Sequence, residues 1–153
     1  MRVIFEPFDI SNCFDDLVVV DSEKSPKQNI SLFIHPRFGK ILCIDDEVQH
    51  VENWRCFYHE PLVHLPAALF DAPKSVLILG GGSMFATSEV LRYESIDTVD
   101  QVDHDPYVLE IMRRNYKEIS NIEKDSRISF IDSDIVDFVL NSQNIYDIII
   151  NDS

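Results

Sequence analysis

Cysteine is scarce: the 153-residue chain has three, Cys13, Cys43 and Cys56, an odd number with no Cys-x-x-Cys spacing. That excludes a disulfide framework and leads us to expect a reduced, cytoplasmic setting. Basic side chains are few, 13 Lys+Arg against 27 Asp+Glu, for a formal charge of -14. Such an excess repels phosphate backbones and anionic lipid, so no nucleic acid and no membrane is expected as main partner; a cationic ligand is. No stretch approaches the ~20 apolar residues of a membrane helix. The start, Met1-Arg2-Val3-Ile4-Phe5-Glu6-Pro7, lacks the basic and apolar regions of a secretory signal. His35, His50, His59, His64 and His104 form neither His-Glu-x-x-His nor a Cys/His set, so no metal is expected. A Walker A loop, an EF-hand loop and a serine nucleophile elbow are also missing.

What remains is a globular composition, 45% hydrophobic and 10% aromatic, at a length typical of one domain. The first fifty residues alternate short apolar runs with turn signals. Leu17 to Val20, Ile30 to Ile34, Lys40 to Ile44 and Val48 to Val51 read as strands of a small antiparallel sheet, with turns at His35-Pro36-Arg37-Phe38-Gly39 and Asp45-Asp46. Residues 1–16 carry no readable role. From Asn53 a helical spacing appears in Leu62, Leu65 and Leu69, and Pro61 places the start of that helix near Glu60, where its missing N–H costs nothing.

After Asp71-Ala72-Pro73, apolar runs alternate with helical stretches. The runs are Ser75 to Leu79, Ile96 to Val102, Arg127 to Ile131 and Tyr146 to Ile150; the helices are Met84 to Arg92, Pro106 to Lys117 and Ile135 to Leu140. This pattern predicts βαβ crossovers and a parallel sheet, with Val76 to Leu79 and Ile148 to Ile150 covered on both faces. The fold class is therefore α/β: a strand-rich part over 1–52 and a doubly wound part over 53–153.

Gly80-Gly81-Gly82 lies where a strand turns into a helix, the place where cofactors approach an open α/β sheet. A tight turn without ligand fits the glycines equally well. Phe85 at the third fingerprint position weakens a dinucleotide reading. Asp103, 21 residues past Gly82, is placed to accept from ribose hydroxyls, or is an exposed acid at a strand end. Asp134 accepts from an adenine amino group or caps the following helix. With Asp152 these acids form a row expected to face one crevice, better suited to a sulfonium cofactor than to a pyrophosphate. Tyr58 and His59 face a cofactor or belong to the core.

Together, Phe38-Gly39-Lys40-Ile41-Leu42, Asp45 to Gln49, Tyr58-His59-Glu60, Gly80-Gly81-Gly82 and Tyr146 to Ser153 resemble the spermidine synthase family of polyamine aminopropyltransferases, from about Gln28 onward. The resemblance implies a small N-terminal β domain before a Rossmann-like, methyltransferase-type sheet. It also implies decarboxylated S-adenosylmethionine as co-substrate, putrescine or another polyamine as acceptor, and pairing as a homodimer. By the same resemblance Gln28 and Gln49 lie near the cofactor, Tyr58 and His59 line the polyamine and aminopropyl side, Asp103 binds ribose, Asp134 binds adenine, and Asp152 is the base. The family's Gly-Gly-Gly-Asp-Gly is here Gly80-Gly81-Gly82-Ser83-Met84, so Ser83 stands where the family places the acid for the aminopropyl ammonium. That departure keeps open an S-adenosylmethionine-dependent methyltransferase, and a non-catalytic ligand-binding or assembly domain of the same fold. The family sheet has further strands, so the chain is expected to be a fragment ending after its fourth parallel strand.

Overall fold

The computed structural model describes residues 16–153, together with the backbone of 3–4 and 13–14. These form two compact units, Met1–Arg55 and Cys56–Ser153.

In the first unit β1 (Val3–Ile4) pairs antiparallel with β2 (Cys13–Phe14). The strands β3 (Val18–Lys24), β4 (Asn29–His35), β5 (Gly39–Ile44) and β6 (Glu47–Val51) follow as an antiparallel meander. The β5–β6 link is a two-residue hairpin turn with positive φ at Asp45 (48°) and Asp46 (67°). Both residues left-handed is the geometry whose twist matches the flanking strands, and Asp tolerates it better than most side chains. Asp45 Oδ1 also accepts from the backbone and side-chain amides of Asn29, each at 2.9 Å, which ties the turn to the start of β4. Phe33, Ile41, Cys43 and Val51 cluster on one face, and burial pushes the Cys43 thiol up to about 12. The third strand runs four residues past the expected Val20. Its polar half, Asp21 to Lys24, occupies the sheet edge, where alternating exposure suits such residues.

The second unit starts from α1 (Arg55–Ala67), which contains Pro61 and Pro66 in its interior. The expected start near Glu60 is thus five residues late. Pro61 cannot donate to the Phe57 carbonyl, and the helix persists because tertiary burial outweighs the ~3 kcal/mol an interior proline costs. The side chains that anchor it are His59, Val63 and Ala67, at a spacing of four. Leu65 and Leu69, the apparent stripe, are 69% and 86% exposed.

Then come β7 (Ser75–Gly80), α2 (Phe85–Val90), β8 (Thr98–Asp103), α3 (Pro106–Asn115), α4 (Ile119–Ile122), β9 (Ile128–Asp132), α5 (Ile135–Asn141) and β10 (Ile148–Asp152). The strands form a parallel sheet in the order β10-β7-β8-β9. Val76, Ile78, Val99, Ile148 and Ile150 pack with Val63, Ala67, Ala86 and Val90 in the core. Asp105 caps α3, accepting from the Tyr107 N–H at 3.1 Å with Pro106 in the first turn. The expected helix to Lys117 stops at Asn115 because Tyr116 is extended (φ -130°), and α4 is an unanticipated single turn that buries Ile119 and Ile122. Central β7 is covered on both faces, as expected. On β10, however, Ile149 is 60% exposed, because that strand is the sheet edge.

Arg127 ties the start of β9 to the loop after α2: its guanidinium donates to Asp125, to the Leu91 carbonyl at 3.1 Å and to the Tyr93 carbonyl at 3.3 Å. The pairing holds the Asp125 carboxyl down at about 2. Arg127→Ala is expected to lower the unfolding free energy by about 1.5–3 kcal/mol, read from urea denaturation at neutral pH, since charge-assisted bonds to two fixed carbonyls are lost.

Candidate active site at the carboxyl ends of the parallel strands

Strand order reverses at β7: the chain passes from β7 to β8 and β9 on one side and returns to β10 on the other. The crevice outside the carboxyl ends of such a pair is where open α/β sheets take ligands. Gly80-Gly81-Gly82 leaves β7 there, and Asp152 closes β10. Gly80 and Gly81 have φ of 82° and 71°, in the left-handed region that favours glycine. A Cβ on Gly80 would meet the Asp152 carbonyl oxygen at 2.6 Å, and one on Gly81 would meet Asp152 Oδ2 at 2.7 Å. On Gly82 it would meet Asp103 Oδ2 at 2.9 Å. Gly80 is therefore required by the close approach of the Asp152 backbone and Gly81 is favoured by its positive φ, before any ligand is considered, while Gly82 lies against the end of the Asp103 side chain.

Hydrogen bonds fix the same loop. The Gly81 N–H donates to the Asp152 carbonyl (3.0 Å), and the Gly82 N–H donates to Asp103 Oδ2 (2.9 Å). The Met84 N–H donates to the Gly81 carbonyl at 2.8 Å. Met84 precedes α2 with φ 65° and is fully buried, and Ser83 beside it is 9% exposed. Asp103 Oδ1 accepts from the Asp105 N–H at 3.0 Å. Each Asp103 oxygen thus carries one backbone bond, and a carboxylate oxygen has room for a second.

Tyr58, in the first turns of α1, donates its hydroxyl to Asp152 Oδ1 at 2.8 Å. Burial pushes the Asp152 carboxyl up to about 6; the Tyr58 bond opposes this, and the Asp103 charge adds to it. Burial, then the bond to and charge of Asp152, push the Tyr58 phenol up to about 12, so it remains a donor at neutral pH. His59 is buried, edge-on to Tyr58 (ring centroids 4.9 Å apart) and to Phe85 (5.7 Å), and Phe85 stands edge-on to Tyr116 (5.2 Å). This row joins α1 to the head of α2 and the end of α3.

Asp103 and Asp152 are brought together against the glycine loop. Asp134 is exposed on the neighbouring strand end and caps α5, with Oδ1 accepting from the Val136 N–H (2.8 Å) and the Asp137 N–H (3.1 Å). Gln28 and Gln49 belong to the first unit, Gln28 in the β3–β4 turn and Gln49 exposed on β6. Among the described residues, no group of three or more His, Cys, Asp or Glu is arranged to hold a metal ion. No helix among them is long and apolar enough to cross a membrane.

Gln101 was not anticipated. It is fully buried in β8, donates to the Gly80 carbonyl at 3.3 Å and to the Gly81 carbonyl, and accepts from the Thr87 hydroxyl. The available signal was an uncharged amide inside a buried parallel strand, two residues before Asp103.

Two outcomes follow from the acid pair. Asp152 titrates near 6 in the fold against 3.8 for an ordinary Asp, so the folded state binds that proton more tightly. Stability accordingly falls as pH rises between those values and stays lower above them. Asp152→Asn is expected to stabilise the chain above pH 6 by up to about 3 kcal/mol, with the gain vanishing toward pH 4, as thermal unfolding across pH will read. Tyr58→Phe removes the bond that favours the carboxylate, so the Asp152 titration, followed by carboxyl carbon NMR, is expected to move above 6.

Comparison with known proteins bears on the family and the fold. The family model described as spermine/spermidine synthase domain matches residues 55–153. Putrescine N-methyltransferase 4 of Nicotiana tabacum is 38% identical over 131 residues, 85% of this chain and 34% of that one. A polyamine aminopropyltransferase of Lachnospira eligens is 34% identical over 132 residues, 86% of this chain and 46% of that one. A spermidine synthase in complex with the transition state analogue AdoDATO superposes with a TM-score of 0.83 at 32% identity, over 88% of this chain and 46% of that structure. The spermidine synthase from Thermotoga maritima gives the same score and identity, with 47% of its chain covered. The chain spans less than half the length of these relatives. With the sheet, the switch-point loop and the family match in agreement, the chain belongs to the spermine/spermidine synthase family.

Proposed function

We propose that this chain carries the co-substrate side of a polyamine aminopropyltransferase, which moves an aminopropyl group from decarboxylated S-adenosylmethionine to putrescine or another polyamine. The observation that carries the reading is the Asp152 carboxylate, held by Tyr58 beside a glycine loop whose other flank is Asp103. The residues fit an adenosyl sulfonium: two acids suit its positive charge, and the loop has no side chain between them. When bound, that co-substrate supplies an electron-poor methylene carbon next to sulfur.

Asp103 accepts from ribose hydroxyls through the capacity its backbone bonds leave free, and Asp134 offers the adenine amino group its second oxygen. Asp152 orients the attacking amine. The nucleophile is the neutral amine, since a carboxylate near 6 is too weak to deprotonate a resting ammonium near 10; as the N–C bond forms and the C–S bond breaks, releasing methylthioadenosine, the nitrogen becomes acidic and Asp152 takes its proton. Oδ2 receives that proton, because Oδ1 is held by Tyr58. The exposed thiol Cys56 and the buried thiol Cys43, both free, support a reducing, cytoplasmic setting.

Ser83 favours one second reading, transfer of a methyl group from S-adenosylmethionine to an amine. A neutral side chain there neither pairs with an aminopropyl ammonium nor repels a carboxylate, and putrescine N-methyltransferases are among the relatives. Turnover of each sulfonium compound with putrescine decides between them. Release of methylthioadenosine from the decarboxylated compound is expected, with Asp152→Asn lowering kcat by roughly 10²–10⁴-fold. S-adenosylhomocysteine formed from the carboxylated compound instead would establish methyl transfer, and no product from either would overturn both.

A further inference from the structure

We infer that Gln101 is a positioning residue: with Thr87 it clamps the glycine loop in the shape that sets Asp103 and Asp152 on either side of one ligand. The ligand half of this inference rests on the proposed function; the clamp itself does not.

The loop is built from the residue type that orders least readily, three glycines in succession, two of them at positive φ. Without a brace their peptide planes rotate, and with them the N–H groups that meet the two acids. Gln101 supplies the brace from inside β8. Its amide nitrogen has two hydrogens and faces two successive carbonyls, those of Gly80 and Gly81. Its amide oxygen accepts from Thr87, which fixes the amide orientation and ties the clamp to α2. With both carbonyls drawn toward β8, the Gly81 N–H is left for Asp152 and the Gly82 N–H for Asp103. Gln101 and Thr87 are both 0% exposed, so the bonds form out of water, where an unmade one is costly. Neither side chain reaches the crevice; each acts through the loop.

The double variant Thr87→Val, Gln101→Leu removes both partners together, leaving an apolar pair of similar volume. Hydrogen exchange of the Gly81 and Gly82 amides is expected to accelerate at least tenfold, with the Ile78 and Val99 strand amides unchanged. Methylthioadenosine affinity, measured by calorimetry, is expected to fall at least tenfold. Parent-like exchange at Gly81 and Gly82 would overturn the clamp. Faster exchange with unaltered affinity would overturn its role toward the ligand. Failure of the parent to bind methylthioadenosine would count against the proposed function and the ligand half, while exchange still decides the clamp. If the double variant does not fold, Thr87→Val is expected to accelerate the same two amides and Thr87→Ser, which keeps the hydroxyl, to leave them protected; equal behaviour of the two would overturn the clamp.

Discussion

The clearance between β10 and the glycine loop is the constraint from which the rest of the parallel unit follows. Nothing larger than hydrogen fits on Gly80, because the backbone of Asp152 already occupies that space. Bringing β10 this close requires the in-register pairing of Ile148–Asp152 with Val76–Gly80. That pairing depends in turn on the core of Val76, Ile78, Ile148 and Ile150 under α1 and α2. The same packing carries Tyr58 to Asp152, from a residue 94 positions away in the chain. Core and site are thus one arrangement seen from two ends of the strands.

Much of this was legible in the sequence, because the signals were local. Short apolar runs between helices announce a parallel sheet, Asp-Asp announces the hairpin, and an acid 21 residues past the last glycine marks the second strand end. What could not be read depends on the partner surface. Leu62, Leu65 and Leu69 have helical spacing, yet of these only Leu62 packs on the core, beside the buried His59, Val63 and Ala67, since hydrophobicity alone does not say which side of a helix meets a sheet. Pro61 misled for a related reason: an interior proline is a local cost, and the offsetting burial is tertiary. The single turn of α4 is too short for a periodic pattern. Tyr58 and Asp152 were each singled out, but the hydrogen bond between them was not, because no spacing rule reaches across 94 residues.

The loop also shows how backbone strain and side-chain burial offset one another. Met84 occupies a left-handed position (φ 65°). Such a conformation costs an L-residue about 1–2 kcal/mol, and full burial of a methionine side chain returns about 1.5–3 kcal/mol. The strain is thereby absorbed by the core beneath the loop.

Asp152 lies on an edge strand, with Ile149 of the same strand 60% exposed. The largest influence on its acidity is desolvation, ahead of Tyr58 and Asp103. The acidity of the site is in that sense a gauge of local packing: proton affinity at one carboxyl records how closely its neighbours shut out water.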